Sequence, residues 1–255
     1  MIQESSRVFE NELVALNTYV LSFESRKIAE TVLPGQFVNI RAWSCNDPLL
    51  RRPFSVYRVS GNVVSIVFNI VGRGTKILSE LKPGQIVDVL GPLGRPFGFG
   101  SGDFDLAILV GGGLGVAPLP ILSHSLKQLN IPQTILLGAR TKSYLIPQHL
   151  EGLLTATDDG SAGFSGTVVH LAREVIAKRN TVRPKIFGCG PTPMLRALSD
   201  LASQLGIQCE ISLEGPMGCG FGICQGCPVK LREGEKEYAL MCNEGPVFSS
   251  QRIAI

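Results

Sequence analysis

Short apolar runs rich in β-branched and aromatic residues, separated by polar turns, dominate the first hundred positions. Leu13 to Ser22, Gln36 to Arg41, Phe54 to Val59, Val63 to Asn69 and Ile86 to Gly91 are all β-rich, with Gly or Pro between most of them. This pattern predicts a small antiparallel barrel. Two of the runs begin alike, LPGQFVNI at Leu33 and LKPGQIVDVL at Leu81, each with Pro-Gly ahead of the apolar alternation. Pro-Gly suits a turn feeding a strand, so the likeness is common turn chemistry and not an internal repeat. After the Gly-rich stretch from Gly98 to Asp103 the pattern changes. Apolar strands at Leu106 to Val110, Gln133 to Leu137 and Lys185 to Phe187 alternate with helical segments at about Pro118 to Leu129 and Pro193 to Leu205, as in a parallel α/β sheet. From Glu214 the chain is rich in Gly and Cys and too short to form a core of its own, so something besides hydrophobic burial must hold it. A metal cluster would do so. The expected fold class is α+β multidomain: a β-barrel over 1–101, an α/β parallel-sheet domain over 102–213 and a small C-terminal domain over 214–255.

At 255 residues and 44% hydrophobic content, the chain can bury a substantial core. Its 24 Lys and Arg against 21 Asp and Glu give a formal charge of +3 with no basic run, so no nucleic-acid partner is expected. The opening MIQESSRVFENE lacks the basic start and apolar stretch of a secretory signal, and a cytoplasmic location is expected. One stretch, Leu106 to Leu126, is long enough and free enough of charge to pass for a membrane span. Gly111, Gly112, Gly113 and Gly115 with Pro118 and Pro120 would break such a helix near its middle, whereas a strand, a glycine turn and a helix start account for all of them.

Seven cysteines, four of them in the last 40 residues and without an export signal, point to metal ligation in preference to disulfides. Cys219, Cys224, Cys227 and Cys242 have the spacing C-x4-C-x2-C-x14-C, whose first part matches the plant-type arrangement of four thiolates around a [2Fe-2S] cluster. Gly218, Gly220, Gly222 and Gly226 would let the loop wrap tightly and aim backbone N–H groups at the sulfurs. Four cysteines also suit structural zinc, but zinc ribbons usually pair two C-x2-C knuckles and this chain has one. Cys45 and Cys209 read as packing residues. His124, His149 and His170 stand apart from any second ligand or base at a recognisable spacing.

Two further segments could bind anions. Arg51-Arg52-Pro53-Phe54-Ser55 sets a cation, a rigid Pro and a hydroxyl at a strand start, and Asn69-Ile70-Val71-Gly72-Arg73-Gly74-Thr75 follows the next strand. Taken singly they read equally as a surface charge and an ordinary turn; together they offer a cation and free N–H groups to a pyrophosphate. Val110 to Pro118 carries a glycine turn after an apolar strand, without the strict G-x-G-x-x-G spacing and without an acidic residue closing the next strand, where Gly138-Ala139-Arg140 stands. Cys189-Gly190-Pro191 ends another strand; Cys189 there is either a buried small residue or part of a nucleotide site.

The order R-P-x-S, G-x-G-T, glycine turn, C-G-P and four cysteines resembles the ferredoxin-reductase superfamily across nearly the whole chain. Within it the closest resemblance is to electron-transfer subunits of type B dihydroorotate dehydrogenase. The resemblance implies an FAD barrel, an NAD domain and a [2Fe-2S] domain in that order. Arg52 would pair with the FAD diphosphate, with Pro53 and Phe54 beside it and Ser55 near flavin N5. Asn69, Ile70 and Val71 would line the cofactor, and Gly74 and Thr75 would hold its phosphates. Gly111, Gly112, Gly113 and Gly115 would take the nucleotide, with Cys189, Gly190 and Pro191 facing the nicotinamide. Arg140, Lys142 and Ser143 would meet either a 2′-phosphate or the ribose, and the resemblance favours NAD. It also implies a separate FMN-bearing dihydroorotate dehydrogenase subunit as partner, two of each in a heterotetramer, with Met217, Phe221, Ile223, Val247 and Phe248 as apolar contacts around the cluster. A related flavin and iron-sulfur subunit of an NAD(P)H-ferredoxin oxidoreductase, hydrogenase or sulfide reductase is the alternative.

Overall fold

The computed structural model describes residues 1–42, 47–100, 102–179, 182–232 and 236–255. Cys45 and the expected boundary at residue 101 lie outside them. The β-rich runs become β1 (Ile2–Ala15), β2 (Thr18–Glu24), β3 (Phe37–Arg41), β4 (Arg52–Ser60), β5 (Val63–Asn69) and β6 (Ile86–Leu93). They close into an antiparallel barrel in the order β1-β2-β5-β4-β3-β6, with β6 returning to β1. Closure removes the unpaired edges that a six-stranded sheet would otherwise expose. Every second residue points inward: Leu21 and Phe23, Val38 and Ile40, Val64 and Ile66, Val87 and Val89 form the barrel core. Both Pro-Gly turns are closed alike. Gln36 N–H donates to the Leu33 carbonyl and Gln85 N–H to that of Lys82, each at 3.1 Å, with Gly35 at φ +93° and Gly84 at φ +90°. Those are the positive angles that a type II turn requires at its third residue.

The structure divides one expected strand. Leu13 to Ser22 is the end of β1, a turn at Leu16-Asn17 and most of β2, with Ala15 opposite Thr18. Asn17 adopts φ +55° and its amide donates to the Ile70 carbonyl at 3.0 Å. Asn tolerates this left-handed conformation, which an alternation count does not register.

Six parallel strands follow: β7 (Leu106–Gly112), β8 (Gln133–Ala139), β9 (Leu154–Thr157), β10 (Phe164–Ser165), β11 (Pro184–Cys189) and β12 (Gln208–Ser212). Their order is β10-β9-β8-β7-β11-β12, so the chain reverses direction across the sheet between β7 and β11. The central strand β7 is buried along its whole length, which explains its unbroken apolar run. The stretch Leu106 to Leu126 is thus β7, a 3-10 turn at Gly113–Val116 and most of a helix at Leu119–Gln128. No helix among the described residues is long and apolar enough to cross a membrane. A helix at Thr192–Leu205 ends in the left-handed Gly206. Another, Val168–Ala177, has no counterpart in the sequence expectations. Its β-branched residues weaken the helical signal, but Thr167 caps it and Val168, Leu171, Ala172 and Ile176 bury one face.

The Cys-rich segment contributes a short hairpin, β13 (Pro228–Lys230) and β14 (Tyr238–Leu240), and then β15 (Val247–Ser249), which pairs antiparallel with β12. The segment is therefore an excursion between two adjacent strands of the central sheet. β15 also locks onto the barrel: Arg95 N–H donates to the Gly245 carbonyl at 2.6 Å, and the Pro34-Gly35 turn packs on Val247. A second clasp holds the linker. Lys185, on β11, donates to the Gly98 carbonyl at 2.6 Å and to Glu210 at 2.9 Å, and Glu210 accepts from Gly98 N–H at 2.7 Å.

Candidate cofactor cleft and cysteine centre

A cleft of about 210 Å³ opens where barrel, sheet and Cys-rich segment meet. The barrel contributes Phe37 from β3, Pro53, Phe54 and Ser55 from β4, Val67, Phe68 and Asn69 from β5, then Val71 and Thr75. Leu114 and Ala117, from the turn after β7, form the opposite wall. Leu213, Glu214, Gly215, Met217 and Pro246 close the third side. Strand parity orients the barrel wall. Val38, Ile40 and Val56 point into the barrel core, so Phe37, Asn39, Pro53 and Ser55 face outward, with Phe37 opposite Ser55 and Asn39 opposite Pro53.

Of the residues expected at a flavin, Pro53, Phe54, Ser55, Asn69, Val71 and Thr75 line this cleft; Arg52, Ile70 and Gly74 do not. The Arg52 guanidinium donates to the Leu50 carbonyl at 2.7 Å. Asn69 is held by the Thr18 hydroxyl, at 2.7 Å from its Oδ1. The Thr75 hydroxyl accepts from Val71 N–H at 2.9 Å and from Gly72 N–H at 3.1 Å, and it donates to the Gly72 carbonyl at 3.0 Å. Thr75 thereby closes the turn into the short helix Arg73–Ser79.

On the sheet side, the structure brings together the two segments expected at the nicotinamide. Gly111 lies beside Cys189 in the register of β7 and β11. A Cβ built on Gly115 would stand 2.0 Å from the Cys189 carbonyl oxygen, and one on Gly112 would stand 2.4 Å from Met194 Sδ. Only glycine allows the turns after β7 and β11 to touch in this way, and they do so at the strand C-terminal ends by the switch point, where open α/β sheets bind nucleotides. Gly113 takes φ +55° in the same turn. Pro191 lies against Gly112, and Gly190 against Met194. The Cys189 thiol is buried. Desolvation, reinforced by the nearby Glu214 carboxylate, holds it far above its usual range despite a hydrogen bond with Ser212. It is an inert, uncharged group, suited to packing and not to nucleophilic attack.

Glu214 was not among the expected residues, and Met217, expected as an apolar contact around the cluster, lines the cleft. Glu214 stands just beyond the C-terminal end of β12, and loss of solvation raises its carboxyl above the ordinary range. An acid at the C-terminal end of a parallel strand was the signal available. Arg140 and Lys142 lie exposed beyond β8, where the Lys142 N–H donates to the Ser161 hydroxyl at 2.9 Å. His149 meets the Tyr57 ring and the Arg58 guanidinium, and burial, then Arg58, lower its pKa.

The four cysteines of the constellation approach in two pairs. Cys219 N–H donates to Cys224 Sγ and Cys224 N–H to Cys219 Sγ, each at 3.4 Å. Cys227 Sγ lies 3.2 Å from Cys242 Sγ, while Gly222 N–H reaches Cys242 Sγ at 3.1 Å and Cys242 N–H reaches Cys227 Sγ at 3.4 Å. Partial burial pushes the Cys219 thiol up, but backbone donors from Cys224, Phe221 and Ile223 outweigh it and bring it down to about 6. Burial and the neighbouring Cys227 push Cys242 up to about 12. Two thiol pairs ringed by N–H donors fit a binuclear iron-sulfur cluster, in which each iron takes two thiolates. The barrel reaches this loop through Asn39, whose amide donates to the Cys219 carbonyl at 3.0 Å. The expected apolar fringe is split. Val247 and Phe248 are buried in the fold through β15, whereas Phe221 is 37% and Ile223 76% exposed.

A closed antiparallel barrel, a parallel sheet with a glycine turn at its switch point and a cysteine loop beside their shared cleft define a ferredoxin-reductase-type flavoprotein with an iron-sulfur appendage. The profile of the oxidoreductase FAD-binding domain matches residues 5–97, and that of the iron-sulfur cluster binding domain of dihydroorotate dehydrogenase B matches residues 214–254. The electron transfer subunit of dihydroorotate dehydrogenase B (NAD(+)) from Desulforamulus reducens is 39% identical over 97% of this chain and 98% of its own. That of Fusobacterium nucleatum is 36% identical over 99% and 98%. The chain belongs to this family of electron transfer subunits. Among solved structures, an NADH-dependent reduced ferredoxin-NADP oxidoreductase, studied for flavin-based electron bifurcation, superposes with a TM-score of 0.86 at 29% identity, covering 98% of this chain and 89% of that one. A ferredoxin NADP+ reductase from Neisseria gonorrhoeae shares the fold alone, with a TM-score of 0.66 at 11% identity over 80% of this chain and 92% of that one.

Proposed function

We propose that the chain relays electrons from an FMN-bearing, dihydroorotate-oxidising subunit to NAD+, through a [2Fe-2S] cluster on Cys219, Cys224, Cys227 and Cys242 and through FAD, in pyrimidine synthesis. The observation that carries this reading is the single cleft shared by barrel, sheet and Cys-rich segment, since it brings Ser55, Leu114 and Met217 to one place. Bound flavin supplies the exchange between hydride and single electrons that a nicotinamide and a one-electron cluster require. The protein's part is position. Pro53, Phe54, Ser55 and Asn69 hold the flavin face; Gly111, Gly112, Gly113 and Gly115, with Cys189, Gly190 and Pro191, admit the nucleotide; Arg52, Ile70, Val71, Gly74 and Thr75 serve the remainder of the FAD. The uncharged Cys189 thiol and the apolar Leu114 and Ala117 keep water from the nicotinamide side. Ile223 and Phe221, exposed beside the cluster, form the apolar centre of the partner's docking site. The assembly is a cytoplasmic heterotetramer of two copies of each subunit.

The solved ferredoxin-NADP oxidoreductase supports a second reading, in which the partner is a different flavin or iron-sulfur subunit. Anaerobic spectra of the chain, alone and with a co-expressed candidate catalytic subunit, separate the two. Flavin and cluster absorption should bleach with NADH in both samples and with dihydroorotate only in the pair. Bleaching by NADH but never by dihydroorotate would favour the second reading, and a colourless protein would refute both.

A further inference from the structure

We propose that Asn39 is a positioning residue that fixes the cluster loop against the flavin-side face of the barrel and raises the reduction potential of the cluster. The inference rests on the reading of the cysteine loop as an iron-sulfur site. Asn39 lies in the middle of β3, 1% exposed, on the outward face that also carries Phe37. Phe37 lines the cleft and Asn39 follows two positions later, roughly 7 Å along the same face of the strand. Its amide bonds the Cys219 carbonyl across 180 positions of chain. The contact is built from both sides. Gly220 takes φ +82°, and a Cβ there would stand 2.1 Å from Asn39 Nδ2, so the loop has given up a side chain where the amide enters.

The other half of the amide identifies the role. Asn39 Oδ1 is buried and has no hydrogen-bond partner among the described residues. A buried, half-satisfied amide is a poor way to stabilise a barrel, since an unpaired polar atom costs about 1–3 kcal/mol and an apolar side chain of the same shape would not. The bond it does make withdraws electron density from the carbonyl of a cluster ligand. The positive end of the amide dipole beside a cluster ligand favours the more negative, reduced cluster, acting through local charge and not through a bond to a sulfur.

The test uses the full chain loaded with FAD and cluster, compared with Asn39→Leu, which removes the donor, and Asn39→Asp, which keeps the shape and adds negative charge. Redox titration followed by electron paramagnetic resonance should show the cluster potential falling in the order parent, Leu variant, Asp variant. The Leu variant should move the flavin-cluster electron distribution about tenfold toward flavin, or about 59 mV for one electron. It should keep its iron, its melting temperature should fall by no more than a few degrees because the Cys219 carbonyl loses one donor, and its cluster signal should change g-values. Unchanged potentials and g-values in both variants would overturn the proposal. So would loss of iron from both, because Asn39 would then only close the loop. A parent chain without iron would instead refute the proposed function itself.

Discussion

The contact between Gly115 and Cys189 gives a sharp test of how the nucleotide side is built. In Gly115→Ala the new methyl would stand 2.0 Å from the Cys189 carbonyl oxygen and 2.6 Å from the Gly190 Cα. Ordinary C···O contact begins at about 3.3 Å, so the turns after β7 and β11 must part by roughly 1.3 Å. Both neighbours are backbone and no side chain can rotate away. The stability loss should lie at the upper end for overpacking, about 3 kcal/mol. At about 2–4 °C per kcal/mol for a chain of this size, the melting temperature should drop by about 6–12 °C. Misplacement on that scale should weaken NADH-driven flavin reduction about a hundredfold. Stopped-flow bleaching under anaerobic conditions measures it, with differential scanning fluorimetry alongside. Gly61→Ala is the control: Gly61 has φ +58° and nothing within 4 Å, so its methyl costs only backbone strain, about 1–2 kcal/mol. A Gly115→Ala chain with the parent's NADH response, melting no lower than the control, would refute the reasoning.

Lys185→Met should destabilise by about 3 kcal/mol, because it leaves the Glu210 carboxylate and the Gly98 carbonyl without their buried cation. Adding Glu210→Gln should recover more than half of that loss in denaturant titrations, and no recovery would show that the ion pair is not the source. After the cluster is removed with chelator and reductant, Cys219, with its pKa near 6, should be mostly thiolate at pH 7, and its alkylation should slow as pH falls through 6. Cys242, held at about 12, should stay protonated and resist. Peptide mass spectrometry after brief iodoacetamide treatment would show the order, and equal labelling would contradict it.

The barrel was legible because its strands are short β-rich runs set off by Gly and Pro: alternation survives at the start of Ile86–Leu93, whereas Val63–Asn69 is buried at five successive positions and is readable from its β-branched and aromatic residues. It failed where burial was sparse. β1 extends to Ile2, yet in its first half only Ser6 and Val8 are buried, and its charged outer residues mask the alternation. The cysteine loop was legible because four cysteines at a set spacing carry a signal along the chain, without help from tertiary contacts. Asn39 was not, since an isolated amide carries no pattern; Glu214 had only its place after a strand as a signal, and Met217 was read as a contact of the cluster and not of the cleft, because their meeting joins segments far apart in the chain. Val247 and Phe248 read as fringe of the cluster because nothing local shows that the chain returns to β12.

That return makes the cluster region a bracket fastened at both ends to one plate. A cofactor carried on a module with a single tether samples a range of positions, and its encounters with a partner depend on how long the tether is. Here the stretch from Leu213 to Pro246 leaves and rejoins neighbouring strands, with the Leu213 N–H itself donating to the Pro246 carbonyl at 2.9 Å. The two feet of the bracket are thus bonded to each other at its base. The distance from the cluster to the cleft is then set by the sheet, and lengthening the loop should change what docks on its outer tip before it changes how the two redox centres face one another.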